Sequence, residues 1–94
     1  MPELNQLSSL RALRVTRGLN WVASRLATVR PTDAMTVNAA RSAALRHCLD
    51  TYSNDRDANG VLNDIIDTLP EVRATEDRAE YATRVRLLLQ EVSA

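Results

Sequence analysis

From Asn5 to Val29 the chain runs without a proline, and Leu4, Leu7, Val15, Leu19, Val22, Leu26 and Val29 fall on one side at about 100° per residue. A strand would alternate faces every second residue, so this spacing predicts a long helix with a single apolar face. Pro31 ends it, because the residue before a proline is pushed out of the α region. Only three prolines and two glycines occur in the 94 residues, so the remainder also divides into helical segments.

The second segment, about 34–52, is expected to start behind a cap at Thr32 or Asp33. It places Val37, Ala40, Ala44, Leu45, Cys48 and Tyr52 on its inner side, and its small alanines suit a central helix with close neighbours. The stretch SNDRDANG from Ser53 to Gly60 has the composition of a turn, with Asp57 or Asn59 as the next cap. Val61, Leu62, Ile65, Ile66 and Leu69 then form a short third helix stopped by Pro70. Thr75 is the expected N-cap of the fourth, with Glu76 and Asp77 in its first turn and Tyr81, Val85, Leu88, Leu89 and Val92 on its apolar side. The fold expected is an all-α, single-domain bundle of about four helices over residues 1–94, without internal repeats. With no Phe, one Trp and two Tyr, its core must come from Leu, Val and Ala. So small a core leaves self-association into a homo-oligomer as an expected supplement.

Net charge is zero, but the halves of the chain carry opposite signs. Residues 1–47 hold seven arginines against Glu3 and Asp33, whereas residues 48–94 hold five against ten acids. If the halves fold together, the asymmetry is neutralised in surface ion pairs worth roughly 0–1 kcal/mol each. If they point apart, a basic face is left for an acidic partner.

All twelve basic residues are Arg, so a Schiff-base amine, a Walker A lysine and a kinase-type lysine are all missing. His47 and Cys48 are adjacent, and neighbours on a helix diverge by about 100°, which opposes a nucleophile–base pair. Cys48 is expected to pack and His47 to sit half-exposed. One Cys and one His also fall short of a structural zinc site, so neither a metal nor another cofactor is expected. A lone cysteine fits a reducing compartment. The N-terminal sequence lacks a secretory pattern, and no apolar run approaches the ~20 residues of a membrane span, so a cytoplasmic chain without membrane partners is expected.

Asp55, Asp57, Asn59, Gly60, Leu62 and Asn63 follow D-x-D-x-N-G plus an apolar residue, which resembles the start of an EF-hand or dockerin calcium loop. The resemblance implies side-chain oxygens from Asp55, Asp57 and Asn59, a carbonyl from Val61 and a sharp turn at Gly60. Its twelfth position, which should be a bidentate acid, is Ile66, with Asp67 one place late. A turn-and-cap loop needs no metal.

Beside the apolar face of the first helix runs a second stripe, Arg14, Arg17, Trp21 and Arg25, within about 80° of one another. Trp and Arg dominate binding hot spots, so these four are the candidate partner-binding residues. The same pattern also arises where an indole covers the edge of a core beside arginine stems. The function expected is a non-enzymatic protein-binding module, an adaptor, small chaperone or regulator of bacterial or phage-like kind, docking through the first helix on an acidic or mixed protein surface. Two alternatives stay open: a nucleic-acid-binding regulator using the same arginines, and an enzyme assembled only in an oligomer.

Overall fold

In the computed structural model, which describes residues 9–93, four helices follow one another: α1 (Ser9–Thr28), α2 (Val37–Tyr52), α3 (Ala58–Thr68) and α4 (Arg78–Ser93). Helix is the one regular element among the described residues, in keeping with the all-α expectation. Leu4 and Leu7, and the side chain of Val92, lie outside what is described. The Cα radius of gyration, 12.6 Å, is that of one compact globule of this length.

The central helix is α1, not α2 as the alanines suggested. It packs on all three others, most extensively on α4. Val15, Leu19, Val22, Ala23 and Leu26 are fully buried along it, each of the larger side chains contributing about 1.5–3 kcal/mol. Gly18 permits the crossing with α3: a Cβ there would collide with Ile65 and stand 3.4 Å from Cδ2 of His47 on α2. The core is completed by Ala40, Ala43, Ala44 and Cys48 of α2, Val61 and Ile65 of α3, and Tyr81, Ala82, Val85 and Leu89 of α4.

The expected start of α2 is corrected by tertiary pairing. Residues 31–35 are tied to the end of the α3–α4 connection and the first residues of α4: Arg78 N donates to Asp33 O (3.0 Å), Met35 N to Glu76 O (2.9 Å) and Ala79 N to Pro31 O (3.0 Å). Met35 enters the core, and the helix waits for Thr36, whose hydroxyl accepts from Ala39 N at 3.1 Å. Thr36, rather than Thr32 or Asp33, is therefore the cap. Burying the Ala40–Ala44–His47 side of α2 leaves Val37 and Leu45 exposed, against expectation, together with Leu49.

At the next two starts one expected cap position holds and the other moves. Asp57 stands at the N-cap of α3 without a side-chain capping bond, and Asn59 lies inside the helix. For α4 the cap is Asp77, not Thr75: Asp77 Oδ1 accepts from Glu80 N (2.8 Å) and Glu80 Oε1 from Asp77 N (3.0 Å), a reciprocal capping box. Glu76, expected in the first turn, turns inward. Its carboxylate takes Arg84 Nη1 at 2.7 and 2.8 Å and the backbone N of Arg73 at 3.2 Å. Burial works to raise its pKa, but these donors outweigh it and hold the carboxyl below the usual range. Beside it the Tyr81 hydroxyl donates to Pro70 O at 2.7 Å, and burial pushes its pKa up to about 12.

Candidate interaction surface

The arginines of α1 divide into two groups according to what the fold brings against them. Arg11 donates to Asp57 and Asp64, each at 2.7 Å, and its guanidinium lies on Gly60, where a Cβ would stand 2.8 Å from both Nη atoms. Arg14 pairs with Asp55 at 3.1 Å and more loosely with Asp57 at 3.8 Å, and lies 5.1 Å from the ring centre of Tyr52. The acids of the second half of the chain thus neutralise part of the basic first half. Arg14, one of the four stripe residues, belongs to this internal cluster.

Asp55 and Asp57, which the calcium-loop resemblance would make ligands, are taken by these arginines. Asp55 Oδ1 also accepts from Asp57 N at 2.8 Å, and the chain is already helical from Ala58, so Asn59 and Val61 do not wrap a loop. Among the described residues no group of three His, Cys, Asp or Glu side chains could hold a metal.

Farther along α1 the stripe meets no acid among the described residues. Arg17 and Arg25 are exposed, while Trp21 is half-buried, packed on the core at one edge and open at the other. The indole lies 5.6 Å from the His47 ring, tilted by 39°, with the Arg25 guanidinium 5.9 Å from its centre. His47 in turn meets Tyr52 edge-on at 5.9 Å. The order Arg25, Trp21, His47, Tyr52, Arg14 places three rings between two cations along the α1–α2 seam. His47 and Tyr52 were not legible as members, because only the crossing of α1 and α2 brings them to the stripe.

His47 is buried rather than half-exposed, with Nε2 lacking a partner among the described residues. Burial lowers its pKa, against a smaller opposing pull from Asp50. Cys48 is buried as expected, and burial raises its thiol pKa, which keeps it protonated.

Past Arg25, the end of α1 and the flank of α2 enclose an open cleft of about 580 Å³, floored by Ala39 and Ala43. Arg25, Arg30, Arg46 and Arg78 line it, with Asp33 as its one acid. Arg30 and Arg46 hold exposed carboxylates loosely, Asp33 and Asp50, each at 3.5 Å. Arg78 is only 9% exposed, and its buried Nε has no acceptor among the described residues. A buried donor left unmatched costs roughly 1–3 kcal/mol. Arg30 also has φ +49°, the left-handed region that disfavours a side chain, at the turn between α1 and Pro31. No spacing in the sequence announces this cleft, since its arginines come from α1, a linker, α2 and the start of α4.

Comparison with protein-family models, with curated proteins and with solved structures finds no match. The reading of the surface therefore rests on its own residues.

Proposed function

We propose that the chain is a non-enzymatic interaction module that captures an acidic segment of a protein partner on the α1–α2 face. Arg17, Trp21 and Arg25 make the contact, and the arginine-lined cleft extends it. Arg14 serves this face from within, holding Tyr52 against His47 rather than touching the partner.

One observation carries the reading: Arg11, Arg14 and Arg84 are matched by acids of the chain, while Arg17, Arg25 and Arg78 meet none among the described residues. A face left positive around a half-exposed indole is complementary to carboxylates, and the rigid aromatic supplies apolar area at low entropy cost.

Trp21 is the one tryptophan of the chain, so its emission reports occupancy directly. Titration with an oligo-glutamate peptide is expected to give a saturable change, weakened about tenfold or more by Arg17→Ala with Arg25→Ala at unchanged melting temperature. Duplex DNA is the contrasting probe. DNA binding with a steep log-linear salt dependence, and no response to the peptide, would replace this reading with nucleic-acid binding.

A further inference from the structure

We infer that the cleft between the end of α1 and α2 is a phosphate-binding site that takes a phosphorylated side chain of the protein partner. The inference rests on the acidic-partner reading above and narrows it to one chemical group at one end of the face.

Four observations converge on the cleft. Arg25, Arg30, Arg46 and Arg78 line it against Asp33, with Asp50 beside Arg46, so its formal charge stays positive. Arg78 lines it while nine-tenths buried, and its guanidinium meets no acid among the described residues. The N-terminal end of α2 borders the same space through Thr36 and Asn38, and its first turn carries no acid. Arg30 lines the rim from the turn after α1, with its side chain largely exposed.

The ligand class follows from counting donors and charge. A carboxylate brings one charge and two oxygens, and a single guanidinium fork satisfies it. Here Arg30 and Arg46 already touch carboxylates at 3.5 Å, in exposed pairs that water weakens, and the positive charge persists. A phosphoryl group brings a charge of about −1.5 to −2 and three acceptor oxygens, enough to engage the buried Arg78 and two rim arginines together. The Ser42 hydroxyl and Asn38 amide offer neutral donors beside them. The cleft is open at its mouth, as a side chain presented by a partner requires.

The test uses the full chain and four probes: inorganic phosphate, an acidic peptide with one phosphoserine, its unphosphorylated twin, and oligo-glutamate. Trp21 emission and the Arg78 Nε–H resonance are followed. The phosphopeptide is expected to bind about tenfold or more tighter than its twin, with inorganic phosphate competing. Arg46→Gln and Arg30→Gly are expected to erase that difference; both positions are exposed, so the fold survives the changes. If the twins bind equally, oligo-glutamate still binds and inorganic phosphate does not, the phosphate site is overturned and the acidic-partner reading stands. If inorganic phosphate binds but the twins do not differ, the occupant is the free ion and the phosphorylated partner is overturned. If no peptide binds at all, both readings fall.

Discussion

Trp21 and His47 meet with ring centres 5.6 Å apart, joining the exposed face of α1 to a buried group of α2. The contact makes the face depend on the charge of a buried imidazole. Its Nε2 has no partner among the described residues, so protonation there is unfavourable while the chain is folded.

The pH dependence follows with its sign. His47 is depressed below 6.5 in the folded state, so the unfolded chain binds more protons below that pH. Stability should be full above about pH 6.5 and fall as pH drops toward the folded value. Glu76, depressed below 4.5 by Arg84 and Arg73 against the effect of its burial, contributes stability above about pH 4.5 that is lost on further acidification. Denaturant melts from pH 8 to pH 3 should show two successive declines. His47→Gln should remove the upper one and leave the lower.

Gly18→Ala tests the close approach of α1 and α3. Alanine raises helix propensity by about 1 kcal/mol, but the new methyl meets the fully buried side chain of Ile65 at both Cδ1 and Cγ1. Overpacking of this kind costs about 1–3 kcal/mol, so a net loss of about 1 kcal/mol is expected, read as a lower Tm. Trimming the neighbour as well, with Ile65→Val, should recover part of it.

Arg30→Gly should separate stability from binding. The left-handed φ of +49° costs a side-chain-bearing residue roughly 1–2 kcal/mol that glycine does not incur. The exposed pair with Asp33 offsets little of this. The variant is expected to melt about 4 °C or more higher, which corresponds to about 1 kcal/mol in a chain this short, while its anion affinity falls.

The caps give a third check on the fold. Asp77→Ala and Thr36→Ala should each lower stability by about 1 kcal/mol, since both side chains accept helix N–H bonds. Thr75→Ala should leave thermal unfolding unchanged.

These capping positions show what the sequence could and could not disclose. The buried side of α1 was legible because Val15, Leu19, Val22 and Leu26 repeat at helical spacing and their burial follows from that pattern alone. The start of α2 was not, because residues 31–35 are held by backbone bonds to a connection more than forty residues away. Asp77 could have been found: Glu80 follows it at the spacing of a capping box, whereas Thr75 has no such partner. The stripe from Arg14 to Arg25 was visible as a pattern, but its division was not. The acids that claim Arg14 sit on another element, and its spacing resembles that of Arg17 and Arg25. The cleft was the least legible part, since four separated arginines become neighbours only when α1, α2 and the start of α4 are assembled.

The most direct measurement is a side-chain resonance map of the acidic peptide on the intact chain. The indole N–H of Trp21 and the Nε–H groups of Arg17 and Arg25 should move on saturation, while those of Arg11 and Arg14, already held by Asp55, Asp57 and Asp64, stay in place. Movement confined to Arg11 and Arg14, or none at Trp21, would contradict a docking face on α1 and α2.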